Sequence, residues 1–163
     1  MSIRVLITGG TFDKEYDELS GNLCFRDTHL PQLLALGRFP LECGLTTLML
    51  KDSLDMNDED RALIARACRE AEEPHIVITH GTDTMTNTAE VLAKKVTGKT
   101  IVLTGAMIPF AFGASDALFN LGSALTAVQL LPNGVYVAMN GQVFPWNQVR
   151  KNRELGKFEA TQP

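Results

Sequence analysis

Cysteine is scarce in this chain of 163 residues: Cys24, Cys43 and Cys68 are the three present, odd in number and far apart. They make no CxxC pair and have no histidine at ligand spacing, so a disulfide framework and a zinc site are both excluded as readings, and reduced thiols are expected. His29, His75 and His80 show no metal-binding pattern either, and no metal or cofactor is expected. No apolar run approaches the roughly 20 residues that a membrane helix requires. The opening Met1-Ser2-Ile3-Arg4-Val5-Leu6-Ile7-Thr8 is too short for a signal peptide and runs directly into glycines. A cytoplasmic location without membrane contact is the expectation. Positive charge is also in deficit: the net charge is −4. The late cluster Arg150, Lys151, Arg153, Lys157 is interrupted by Glu154 and Glu159, so nucleic acid is not an expected partner.

What remains is an ordinary globular balance, 45% hydrophobic and 21% charged, in a length suited to one domain. Five short apolar runs recur: Ile3 to Ile7, Leu45 to Leu50, His75 to Thr79, Thr100 to Thr104 and Val135 to Met139. They are continuous rather than alternating, the pattern of strands covered on both faces. Helical periodicity lies between them. Asn57 is an N-cap followed by Asp58, Glu59 and Asp60, and Leu63, Ile64, Ala67, Cys68 and Ala71 form one stripe. Met85, Ala89, Leu92 and Val96 make the next helix, with Lys94 and Lys95 in its last turn and Gly98 to close it. A third begins near Asp116 and stops before Pro132, after which Asn133-Gly134 turns the chain. A weaker helix spans about Leu30 to Leu36, and a small hairpin is expected around Asn140-Gly141 and Trp146-Asn147. The fold class is α/β: three layers, doubly wound and Rossmann- or flavodoxin-like, with a mostly parallel sheet of about five strands. Segment 11–28 is polar and fits neither period; it is a candidate lid or an ordinary surface hairpin.

Ligands of open parallel sheets bind beyond the carboxyl ends of the strands. Those ends carry Thr8-Gly9-Gly10-Thr11, Asp52-Ser53-Leu54-Asp55, His80-Gly81-Thr82-Asp83-Thr84, Gly105-Ala106-Met107 and Asn140-Gly141. The glycines after the first run match neither a Walker loop nor GxGxxG, which argues against nucleotide binding. Instead they leave the Thr11 hydroxyl above the strand. That hydroxyl is either a turn-building group or a nucleophile awaiting a base. Asp83 or Thr84 is either a plain N-cap or part of a carboxylate-binding helix start. Two threonines at neighbouring strand ends carry more information than one.

These blocks resemble the asparaginase family of the bacterial L-asparaginase type. The likeness rests on Thr8-Gly9-Gly10-Thr11, Asp52 to Asp58, Ile78-Thr79-His80-Gly81-Thr82-Asp83-Thr84-Met85, Leu103 to Pro109, Ser115-Asp116 with Phe119-Asn120-Leu121, and the Lys151 region. Their order holds along essentially the whole chain.

The resemblance implies hydrolysis of the side-chain amide of L-asparagine, with L-glutamine as a further substrate, and no cofactor. It implies Thr11 as nucleophile, Tyr16 of the mobile loop as its activator, and Thr82, Asp83 and Lys151 as a second proton-handling group. Asp83 would also hold the substrate's amino group. Ser53, with backbone at Asp52, would bind the α-carboxylate, and backbone at Gly81 and Ala106 would line the amide pocket.

Burial lowers a lysine pKa, whereas Asp83 would oppose the fall, so the base role of Lys151 stands under tension. Two departures stand out. Leu54 occupies a position that is usually polar in the family. The chain also stops near where the family's smaller C-terminal domain begins, so it is either a short single-domain form, the expectation, or a truncated piece, and a homodimer or higher homo-oligomer in which a partner copy covers the pocket is expected. The rival reading is a catalytically weak or inactive domain that binds asparagine or aspartate.

Overall fold

A computed structural model describes residues 1–161. Ten strands, β1 to β10, and four α-helices, α1 to α4, lie along them, alternating only from α1 to β7. The central sheet takes β1 (Ile3–Gly9), β4 (Cys43–Lys51), β5 (His75–Thr79), β6 (Thr100–Thr104), β7 (Gly134–Met139) and β8 (Gln142–Pro145), in the order β4-β1-β5-β6-β7-β8. The first five of these strands in chain order run parallel; β8 returns antiparallel beside β7. The five expected runs are all present, and the sheet gains a sixth strand. That strand follows from Asn140 and Gly141, whose φ values of 56° and 73° make the two-residue turn that matches strand twist. The expected hairpin at Asn140-Gly141 is therefore an extension of the main sheet.

Side chains of the parallel strands are shared between two cores, as double burial requires. Leu6, Ile76 and Ile78 face α2 (Asp58–Glu70) and α3 (Met85–Lys95), with Ile64, Cys68, Met85 and Leu92 opposite. Val5, Ile7 and Val77 face α1 (Leu30–Leu36) and α4 (Ala117–Leu130), with Leu33, Leu121 and Val128 opposite. The start of α2 is set by its own local chemistry. The Asn57 side chain accepts from the Asp60 N–H while the Asp60 carboxylate accepts from the Asn57 N–H, a closed capping box. α3 ends at Lys95 and the chain leaves through extended Val96; Gly98, expected to close the helix, sits further on in the turn.

Two hairpins stand outside the sheet. Segment 11–28 is a 3-10 turn at Thr11–Asp13 followed by β2 (Lys14–Asp17) and β3 (Asn22–Phe25), an antiparallel pair. Its two ends are tied at Asp13, whose Oδ1 accepts from the Thr28 hydroxyl at 3.0 Å and the His29 N–H at 2.9 Å. The second hairpin pairs β9 (Val149–Asn152) with β10 (Lys157–Ala160) and was not expected.

Strand order reverses between β1 and β5, because the chain leaves β1 for the β4 edge and then returns to β5. A crevice opens beyond the strand ends at such a reversal. Thr11 follows β1 and Thr82 follows β5.

Candidate active site

The loops after β1 and β5 touch through their glycines. A Cβ on Gly10 would lie 2.4 Å from the Gly81 nitrogen, and one on Gly81 would lie 2.6 Å from the Ser53 Cβ and Oγ. Gly10 also holds φ 72°, a region that a side chain disfavours. Glycine at both positions lets three loops close into one wall, ending in Thr11, Ser53 and Thr82. Ser53 is fully interior, and its Oγ accepts from the Thr84 N–H at 3.2 Å. Thr84 is the residue before α3, yet its hydroxyl donates to the Ser53 carbonyl at 2.8 Å instead of capping the helix. The start of α3 is thus bound to the β4 loop, and the Ser53 hydroxyl keeps its own proton to give.

Lys151 reaches the wall from the outer hairpin. It pairs across the strands with Phe158, which is fully buried in the α2/α3 core, so both point inward. The Phe158 N–H donates to Asn140 Oδ1 at 2.8 Å, fixing the hairpin to the end of β7. From there Lys151 Nζ donates to Thr82 Oγ1 at 2.8 Å and to Asp83 Oδ1 at 2.9 Å. The side chain of Lys151 is 12% exposed and Thr82 is buried. Donation into the Thr82 oxygen favours negative charge there. The hydrogen bond from Lys151 holds the Asp83 carboxyl below its ordinary range, with help from Arg153, whose guanidinium also contacts Asp83 Oδ1.

A second ion pair closes the opposite flank. Lys14 Nζ donates to Asp52 Oδ2 at 2.5 Å, joining β2 to the β4 loop. Burial by itself would raise the Asp52 carboxyl, but the hydrogen bonds from Lys14 and the Leu54 N–H outweigh it and hold it low. Ala106 is buried in the loop after β6. Asp116 shapes that loop by accepting from the Met107 and Ile108 N–H groups, and Asn120 Nδ2 donates to the Gly105 carbonyl at 2.9 Å. Beneath the wall, His80 is wholly buried between the Gly81 carbonyl (2.8 Å) and the Thr88 hydroxyl (2.7 Å). A carbonyl only accepts, so Nδ1 carries the proton and Nε2 accepts from Thr88. Burial lowers the His80 pKa to about 4.

Direct contacts thus link the Gly10, Ser53 and Gly81 loops and join Lys151 to Thr82 and Asp83, with Thr11 next to Gly10 and Asp52 next to Ser53 in the chain. Tyr16 lies on the β2–β3 hairpin opposite Leu23 and is 57% exposed. Leu54 stands 66% exposed beside Asp52. Lys14 and Arg153 escaped the sequence reading. Nothing in their local pattern distinguishes them from surface cations; only their tertiary partners do.

The family model described as Asparaginase, N-terminal, matches residues 2–160. The chain belongs to the asparaginase family. This asparaginase-family chain is 34% identical to the L-asparaginase of Thermococcus kodakarensis, over 96% of its own length and 49% of that protein's. It is 33% identical to L-asparaginase 1 of Escherichia coli K12, over 98% and 49%. Similarity extends to a glutamyl-tRNA(Gln) amidotransferase component of Methanococcus vannielii, at 34% over 87% and 35%. Among solved structures, the thermostable T. kodakarensis L-asparaginase superposes with a TM-score of 0.84 at 32% identity, covering 98% of this chain and 51% of that one. A probable cytoplasmic L-asparaginase of Campylobacter jejuni gives 0.84 at 28%, over 97% and 52%. The chain thus spans about half the length of the L-asparaginases it matches.

Proposed function

We propose that this chain hydrolyses the side-chain amide of L-asparagine to L-aspartate and ammonia, with L-glutamine as a second candidate substrate and threonine as the nucleophile. The Lys151–Thr82–Asp83 contact carries the reading: an amine from a distant hairpin donates to a buried hydroxyl at a strand-order reversal. The names of the L-asparaginase relatives agree with it.

In this account the Thr11 hydroxyl attacks the amide carbon, and its proton goes, with the nitrogen, to departing ammonia. The resulting ester on Thr11 is then cleaved by water, which gives one proton back to Thr11 and its hydroxyl to the acid. Thr82, held by Lys151, handles the protons in both halves. Backbone N–H groups of the Gly10 and Gly81 loops face the developing oxyanion. Gly81 and Ala106 line the pocket; Ser53 and backbone at Asp52 receive the α-carboxylate. Tyr16 would reach Thr11 when the hairpin moves inward.

Ammonia release from L-asparagine, followed in the wild type and in Thr11→Ala and Thr82→Ala, tests this. Release that falls in both variants supports the reading. Leu54, apolar and exposed beside Asp52, favours the rival reading of a domain that binds without turnover. Calorimetric binding of L-aspartate with no ammonia at any protein concentration would establish the rival.

A further inference from the structure

The β2–β3 hairpin has two unlike faces. Alternation along β2 puts Lys14 and Tyr16 on one face and Glu15 and Asp17 on the other. Phe25 and Leu23, the cross-strand partners of Lys14 and Tyr16, share the first face, and the Lys14 amine lies 6.0 Å from the centre of the Phe25 ring. The second face keeps to its own neighbours: Glu15 meets Arg26 and His29, and Asp17 meets Arg26. The first face turns to the β4 loop, where Lys14 Nζ donates to Asp52 Oδ2. Among the described residues this is the one polar contact between the hairpin and that loop.

Asp52 is used at both oxygens. Its Oδ1 accepts from the Leu54 N–H at 3.0 Å and so caps the 3-10 turn Ser53–Asp55, while Oδ2 holds Lys14. One carboxylate thus couples the turn that carries Ser53 to the strand that carries Tyr16. The Lys14 side chain is 17% exposed, so water and salt weaken this pair less than they weaken a surface one. Beyond the pair the hairpin is free: Leu19 is 94% exposed, and Gly21 has open space around it. Lys14 opens β2, and Tyr16 lies two residues, about 7 Å, further toward that free tip. A tie at Lys14 therefore sets which way the Tyr16 face looks and leaves the tip to swing.

We propose that Lys14 is a positioning residue: its ion pair with Asp52 keeps the Tyr16 face of β2 turned toward the Ser53 loop, so that Lys14 acts on catalysis through Tyr16. The proposal rests on the hydrolase reading above, in which Tyr16 activates Thr11. Lys14 takes no proton in it and touches no substrate.

Steady-state ammonia release from L-asparagine by the wild type, Lys14→Met, Lys14→Arg, Tyr16→Phe and the double variant Lys14→Met/Tyr16→Phe tests it. Lys14→Met and Tyr16→Phe should each lower kcat by about tenfold or more, with KM moving by less than about threefold. Lys14→Arg, which keeps the ion pair, should stay within about threefold of the wild type. In the double variant the lysine change should add less than about twofold to the loss from Tyr16→Phe, because residues that act as a unit are not additive. Independent multiplicative losses are the signature of a merely structural role and overturn the proposal. So does full kcat in Lys14→Met, or a raised KM with kcat unchanged, which would make Lys14 a ligand for the substrate's carboxylate. Amide exchange reads the tie without turnover: β2 and β3 should exchange faster in Lys14→Met than in the wild type or Lys14→Arg, and equal rates overturn the proposal. A wild type that releases no ammonia overturns the hydrolase reading and the proposal with it, whereas an active wild type with any of the contrary results overturns the proposal alone.

Discussion

The amine of Lys151 lies 2.8 Å from the hydroxyl oxygen of Thr82, 69 residues away in the chain. The contact exists because Phe158, opposite Lys151 in the hairpin, is buried in the α2/α3 core. Phe158→Ala should therefore act twice. Loss of a buried aromatic costs about 3–5 kcal/mol, and the freed hairpin no longer presents Lys151. Urea unfolding should show the first effect. Ammonia release at a temperature where the variant is still folded should show the second, as a fall in turnover.

Gly10 and Gly81 approach too closely to carry side chains. Gly10→Ala combines an unfavourable φ with a backbone clash, so a loss on the order of 2–4 kcal/mol is expected. Gly21, at the tip of the first hairpin, also has positive φ but has no neighbour within 4 Å of an added Cβ. Gly21→Ala should cost only about 1 kcal/mol. Comparable losses at the two positions would argue against the packed wall.

The capping box at the start of α2 gives a local test away from the crevice. Asn57→Ala removes the acceptor for the Asp60 N–H, and about 1 kcal/mol of stability should go with it. Ammonia release should be unaffected.

His80 makes stability depend on pH. Its folded pKa, about 4, lies below the ordinary value of 6.5, so between these values the unfolded chain binds the proton and the folded one does not. Stability contributed by neutral His80 is therefore full above pH 6.5 and is lost as pH falls toward 4. From pH 7 to pH 5 the loss should be about 2 kcal/mol. His80→Gln should remove this slope, so comparing the two proteins at both pH values isolates the histidine from the acidic groups.

The sheet was legible because its middle strands are continuously apolar: β5 and β6 have the bounds that the runs His75 to Thr79 and Thr100 to Thr104 suggest. The α2 start was legible from Asn57 and the acids after it. The crevice was legible as far as the strand ends go, since Thr11, Ser53 and Thr82 each follow an apolar run. The hairpin that delivers Lys151 was not. Val149 to Asn152 is four residues long and polar at three of them, too short to show a period. Its position is set by Phe158 and Asn140, contacts made across the fold. Lys14 and Arg153 were hidden for the same reason. The Thr84 hydroxyl misled in the opposite direction: it sits where an N-cap belongs but bonds to Ser53.

The central claim is that Thr11, Thr82 and Lys151 act on one amide, and the most direct measurement is ammonia release from L-asparagine by the wild type, Thr11→Ala, Thr82→Ala, Lys151→Met and the double variant Thr82→Ala/Lys151→Met. The account predicts that each single change lowers kcat by about a hundredfold or more, and that the double variant is hardly worse than Thr82→Ala, because residues acting as a unit are not additive. Full activity in Lys151→Met, or independent multiplicative losses in the double variant, would contradict it.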